Sequence, residues 1–161
     1  MNGTCSCQEA KLNGKLGSMR IRSLCHSTYQ HCYHIVWGTK YRRKFFKKYV
    51  EQEFKESLYK EIKKHPTLHV FAVQTDKDHV HLQIEIAPDM AVSSVVQRLK
   101  IVTSKALKKE FAFIRRIYID GSIWSVGYFS STNGLNEEQV KKYIEAQGKE
   151  EMPKQASFEF L

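Results

Sequence analysis

No apolar run in this chain approaches the roughly 20 residues that cross a membrane, and its N-terminus lacks the apolar centre of a secretory signal. The expected location is therefore the cytoplasm, with no membrane partner. Cysteine is scarce. The four present, Cys5, Cys7, Cys25 and Cys32, all fall in the first fifth of the chain, so a disulfide framework for the body of the fold is excluded. Cys25, His26, His31 and Cys32 raise the question of a zinc site, but their spacing fits no common zinc module and the last two fall in an expected strand. Internal repeats are absent. Acidic residues are the scarcer charge, 17 Asp and Glu against 26 Lys and Arg, which leaves a formal charge of +9 with the histidines neutral. That balance favours a polyanionic partner such as nucleic acid.

What is present suffices for one ordinary domain: 161 residues, 42% of them hydrophobic, supply a core but leave no room for a second full domain. Residues 1–18 are rich in Gly, Ser, Asn and Lys with no apolar period, and are expected to form a disordered extension. The folded domain is expected over 19–150, with 151–161 as a tail. Tyr29 to Thr39 is aromatic and β-branched and predicts a strand that ends at Gly38. From Lys44, the residues Phe46, Val50, Phe54, Leu58 and Ile62 recur every four positions until Pro66, which predicts an amphipathic helix of about five turns. Leu68 to Thr75 and His79 to Ile86, joined by Asp76-Lys77-Asp78, predict a hairpin. After Pro88 and the candidate cap Asp89, the stripe Val92, Val95, Val96, Leu99, Val102, Ala106 and Leu107 predicts a second helix, with lysines decorating its other side.

Ile123 to Ser131 predicts a fourth strand. Asn136 with Gln139 three residues on gives a capping-box start to a last helix that ends at Gly148. The order is βαββαβ plus one helix. The expected fold class is thus α+β, a ferredoxin-like core whose antiparallel sheet has two helices on one face and leaves the other open.

Strand periodicity places His79 and His81 on one side of their strand, roughly 7 Å apart along the chain, where two imidazoles can converge on a cation. Val80 and its apolar partners face the helices, so the histidines, Gln83 and Glu85 fall on the open face. An HxH pair alone is a weak signal, since most such histidines are satisfied by water or neighbours. The last helix adds to it: Val140, Tyr143, Ile144 and Gln147 share one stripe, so a tyrosine and an amide point the same way. As a structural pattern this is a core aromatic followed by a surface amide.

Three segments, YHIVWGTKYRRK at 33–44, DHVHLQIEI at 78–86 and KKYIEAQ at 141–147, resemble the single-tyrosine HUH transposases of the insertion-sequence 200/605 type. The resemblance runs from Tyr29 to Gly148. It implies that His79, His81 and Gln147 bind Mg²⁺ or Mn²⁺, and that Tyr143 is the catalytic nucleophile, leaving a 5′-phosphotyrosine and a free 3′-hydroxyl. It also implies a homodimer in which the tyrosine helix of one subunit can complete the histidine site of the other, with Asn133-Gly134 as a compatible hinge and the choice between cis and trans assembly left open, and single-stranded DNA with hairpin ends as the partner. Coordination chemistry by itself leaves the metal open, because two imidazoles also suit zinc. Asp78 and Glu85 are expected to be solvated carboxylates and no general base is evident.

Lys40, Arg42, Arg43, Lys44, Lys47 and Lys48 form the densest positive run, interleaved with Tyr41 and Phe45. They are candidates for DNA contact, weighed equally against a solvated helix end. Lys100, Lys105 and Lys108 are further candidates for backbone contacts. Two rival functions remain. His79-Val80-His81-Leu82-Gln83 also matches the HxHxQ pattern of histidine-triad nucleotidyl transferases and hydrolases, in which a histidine attacks phosphate, but the ferredoxin-like order and the late tyrosine have no place there. The other is a non-catalytic nucleic-acid-binding domain.

Overall fold

The computed structural model describes residues 21–24, 26–119 and 121–132. The chain enters through a small antiparallel hairpin, β1 (Arg22–Leu24) and β2 (Ser27–Tyr29), that the sequence pattern does not announce. β3 (Cys32–Gly38) follows and ends at Gly38 as expected, but the expected strand is divided at its start: Tyr29 belongs to the hairpin, and pairing resumes at Cys32. Then come α1 (Lys48–Ile62), β4 (His69–Thr75), β5 (His79–Glu85), α2 (Val92–Glu110), a short α3 (Ala112–Ile117) and β6 (Phe129–Ser131). The four longer-range strands form one sheet in the order β4-β5-β3-β6, every pair antiparallel. This is the expected α+β, ferredoxin-like arrangement.

α1 begins at Lys48, four residues later than its apolar period suggests. Phe45 and Phe46 are the reason. Phe45 is buried, and Phe46 stacks on Trp124 at 5.9 Å between centroids. Covering one end of the core in this way holds the segment before the helix extended, and Lys47 is itself in the β region. Once the helix starts, Val50, Phe54, Leu58 and Ile62 lie buried on one stripe, as the four-residue recurrence requires.

α2 runs from Val92, capped by the extended residue Ala91 with no side-chain hydrogen bond, so Asp89 is not its cap. Its buried stripe is apolar at Val95, Val96, Leu99 and Leu107 but polar at Lys100, Thr103 and Ser104. Those three explain why Ile123 to Ser131 does not form one continuous strand. Thr103 Oγ1 accepts a hydrogen bond from Trp124 Nε1 at 3.0 Å, Ser104 Oγ accepts one from the Ile123 amide at 3.4 Å, and Lys100 Nζ donates to the carbonyls of Ser125, Val126 and Gly127 at 3.1, 3.4 and 2.6 Å. The segment is thereby drawn onto the helix. It meets the sheet at the Thr39–Trp124 bridge, where Ser125 N and Oγ donate to the Gly38 carbonyl at 3.0 and 3.1 Å, before β6 joins β3.

The core lies between the sheet and the two long helices, where Ile35, Trp37, Val80, Leu82, Ile84 and Ile86 meet Phe54, Leu58, Leu99 and Leu107. Among the described residues no helix is long and apolar enough to cross a membrane. The last predicted helix, the extension 1–18 and the tail 151–161 lie outside the described residues.

Candidate functional site

The strand register builds the site. His81 pairs with Val36 on one side and Gln74 on the other, while His79 pairs with Gly38 at the end of β3. Because Val80, Leu82 and Ile84 are buried in the core, the alternation sends His79, His81 and Gln83 to the face that none of the described helices covers. There the rings of His79 and His81 lie 4.9 Å apart between centroids at 64°. A shallow cavity of about 100 Å³ beside His81 is lined by His34, Gln74 and Gln83. His34 and Gln74 carry no signal of their own in the sequence. Only the pairing of β3, β4 and β5 brings them to His81.

Burial lowers the pKa of His81, and the neighbouring His79 adds to the effect. Burial likewise lowers His34. A neutral imidazole keeps the lone pair that a metal requires.

Asp78 is buried, not solvated as expected. Its Oδ1 accepts a hydrogen bond from His79 Nδ1 at 2.8 Å, and its Oδ2 faces Arg42, with Nε at 3.2 Å and the NH2 nitrogen at 3.0 Å. Burial alone would raise this carboxyl, but the His79 hydrogen bond and the Arg42 charge outweigh it and hold the group below its usual range. A carboxylate on Nδ1 leaves Nε2 of the same ring as the free donor, the arrangement common behind metal-bound histidines. Exposed Asp76 lies nearby, its Oδ2 4.0 Å from His79 Nε2. Glu85 is also buried, paired with Arg22 of β1; the unexpected hairpin supplies that partner.

Among the described residues no group of three His, Cys, Asp or Glu side chains gathers where it could hold a metal ion. His79 and His81 alone make a two-imidazole donor set. That set fits a divalent ion given one further donor, which the resemblance assigns to Gln147. Gln147 and Tyr143 lie outside the described residues.

The basic residues divide. Lys40, Arg42, Arg43 and Lys44 sit in the turn after β3, which is stitched to the β4–β5 turn by Thr39 N to Asp78 O at 2.8 Å and Phe46 N to Lys77 O at 3.3 Å. The positive run therefore adjoins His79. Arg43 donates to the Ile117 carbonyl at 2.9 Å and lies over the rings of Tyr41 and Tyr118. Lys44, Lys47 and Lys48 are exposed. Arg115 and Arg116 of α3, which belong to no dense basic run in the sequence, are exposed beside Ile117, whose carbonyl accepts from Arg43, and Arg115 itself donates to the Lys108 carbonyl at 3.5 Å. On α2, Lys105 is exposed and Lys108 donates to the Gly121 carbonyl at 2.6 Å. Lys100 is the exception. Its nitrogen is buried against three carbonyls, and burial pushes its pKa down to about 8, so the structure withdraws it from the candidates for DNA contact.

A ferredoxin-like α+β domain with a histidine pair on the sheet face opposite α1 and α2, beside a basic turn, is the class that fold and site define. Residues 27–147 match the family described as transposase IS200 like, and the chain belongs to that transposase family. It is similar to the transposase for insertion sequence element IS200 of Salmonella typhimurium, 31% identical over 131 residues that cover 81% of this chain and 85% of the relative. The ISDra2 transposase TnpA of Deinococcus radiodurans is 29% identical over 120 residues, 74% of this chain and 85% of that one. A crystal structure from Deinococcus radiodurans assigned as a transposase superposes with a TM-score of 0.71 at 25% identity, covering 79% of this chain and 98% of the other.

Proposed function

We propose that this transposase cuts and rejoins single-stranded DNA at insertion-sequence ends, with Tyr143 as nucleophile and His79, His81 and Gln147 holding Mg²⁺ or Mn²⁺. The observation that carries the reading is the convergence of the His79 and His81 rings, 4.9 Å apart on the open face, next to the positive turn. A divalent ion held there supplies positive charge at the scissile phosphate, as a Lewis acid.

The chain's own residues do the rest. Lys40, Arg43, Lys44, Lys47 and Lys48, with Lys105 and Lys108, contact phosphates, while exposed Tyr41 offers a stacking surface to an unpaired base. The Tyr143 hydroxyl loses its proton as its oxygen bonds to phosphorus. The bond from phosphorus to the 3′-oxygen of the upstream strand breaks, and that oxygen leaves with the electron pair and gains a proton. A 5′-phosphotyrosine and a free 3′-hydroxyl result. Attack by another 3′-hydroxyl on the phosphotyrosine reverses the step and seals a new junction, since one phosphodiester replaces another of similar energy. The acting form is a homodimer, with hairpin ends of the element as DNA partner.

The test is incubation of labelled single-stranded oligonucleotides from the flanks of the source gene with wild type and Tyr143→Phe, with Mg²⁺ or Mn²⁺ and with chelator. A metal-dependent covalent adduct that disappears in Tyr143→Phe is expected. An adduct that survives the substitution would point to a histidine nucleophile. Binding without any adduct would leave a non-catalytic DNA-binding domain.

A further inference from the structure

Arg42 stands apart from the basic residues around it. The turn that carries it places two consecutive non-glycine residues in the left-handed region, Tyr41 at φ 63° and Arg42 at φ 49°, a conformation L-residues adopt only where their surroundings impose it. The turn is fixed on every side. Lys40 N donates to the Ile123 carbonyl at 2.8 Å and Arg42 N to the Thr39 carbonyl at 3.0 Å; Thr39 Oγ1 donates to Arg43 O and Tyr118 Oη to Lys40 O, at 2.9 and 2.8 Å. Held this way, Arg42 meets the buried carboxylate of Asp78 with two of its nitrogens. Its neighbours Arg43 and Lys44 are exposed.

Among the described residues, each Asp78 oxygen has one partner, Oδ2 the guanidinium and Oδ1 the Nδ1 of His79. An ionised carboxylate only accepts, so Nδ1 carries a proton, and in the neutral ring Nε2 then holds the lone pair. Without Arg42 the carboxylate would be a buried charge lacking its counter-ion, free to turn toward water or toward the His79 ring in another geometry. The structure assigns Arg42 as a positioning residue for His79: through Asp78 it fixes the tautomer and rotamer that present Nε2 beside His81, and it is not a phosphate contact. The metal part of this role rests on the function proposed above; the tautomer does not.

The full chain, metal-free, is compared with Arg42→Gln, Arg42→Lys, Asp78→Ala and Lys44→Gln in three measurements. Long-range ¹H–¹⁵N imidazole spectra report the tautomer, titration with Mn²⁺ alone reports metal affinity, and binding of a single-stranded oligonucleotide in chelator reports DNA affinity. In wild type, His79 is expected as the Nδ1–H form. Asp78→Ala and Arg42→Gln should shift it toward Nε2–H and weaken Mn²⁺ binding about 10- to 100-fold, the usual effect of losing a partner behind a metal ligand. Arg42→Lys, which keeps the charge but not the two-nitrogen fork, should fall between. Metal-free DNA affinity should stay within about twofold for Arg42→Gln, whereas Lys44→Gln should weaken DNA binding and leave Mn²⁺ affinity and the tautomer unchanged.

If Arg42→Gln behaves as Lys44→Gln does, with tautomer and Mn²⁺ affinity intact and DNA binding reduced, Arg42 is a phosphate contact and the assignment is wrong. Should wild type take up no Mn²⁺, the metal reading falls, and the spectra alone decide whether Arg42 and Asp78 hold the ring. A variant that does not fold is replaced in this comparison by Arg42→Lys, whose tautomer shift or lack of one decides equally.

Discussion

The two faces of β5 are one strand in opposite settings. Toward the helices, Val80, Leu82 and Ile84 are buried among apolar side chains. Toward the open face, His79, His81 and Gln83 keep part of their surface accessible. The open face is not simply solvated, however. Asp78 and Glu85 at either end of the strand are buried, each against an arginine from another element. Apolar packing is non-directional and depends on volume, whereas each polar group on the open face needs a partner at a set distance and angle. Volume therefore governs stability on the first face, and orientation governs chemistry on the second.

The strongest way to sharpen that contrast is Leu82→Ala. Loss of a fully buried side chain on the helix face should lower unfolding free energy by about 2–5 kcal/mol in urea titration; a loss below about 1 kcal/mol would mean that this face is not the packed one.

Lys100→Met should cost about 1–3 kcal/mol by the same measurement, because three carbonyl oxygens lose their donor. Lys100 also predicts a pH effect. Its folded pKa is about 8 against an ordinary 10.5, so the unfolded chain binds more protons between these values. Wild-type stability should rise with pH from about 8 to 10.5, relative to Lys100→Met, and that gain should be lost as pH falls through 8. A flat difference across this window would place the nitrogen in water.

His81→Gln, on the open face, should change stability by less than about 1 kcal/mol while abolishing most Mn²⁺ uptake in a titration of the metal. If its stability loss matched that of Leu82→Ala, the two faces would not differ in the way described. The smallest effect belongs to the rim. Lys44→Gln or Lys47→Gln should each reduce the slope of log affinity for a single strand against log salt by about 0.7, the share of one phosphate contact. No change in slope would make them a solvated surface.

Much of the fold was legible because it follows from local period. The four-residue recurrence from Val50 to Ile62 and the alternation from His79 to Glu85 each fix which side chains share a face. The apolar stripe of α2 was legible for the same reason, but the polar residues within it were not. Lys100 reads as one more surface lysine until the loop at 125–127 folds onto it. Asp78 and Glu85 read as solvated carboxylates because their partners, Arg42 and Arg22, lie 36 and 63 residues away in sequence. The β1–β2 hairpin is too short for a period, and α1 starts late because Phe45 and Phe46 are claimed by a core whose other wall is Trp124.

The sequence by itself determined the α+β class, the order of the main elements, the shared face of His79 and His81, and the motifs that mark an IS200-like transposase, since spacing along one strand or helix dictates direction. Tertiary structure decided which charges meet. It set the basic turn beside His79, turned Lys100 inward, and gave Asp78 and Glu85 their arginines. Those contacts depend on strand register and on two left-handed residues, and so on the packing of segments far apart in the chain.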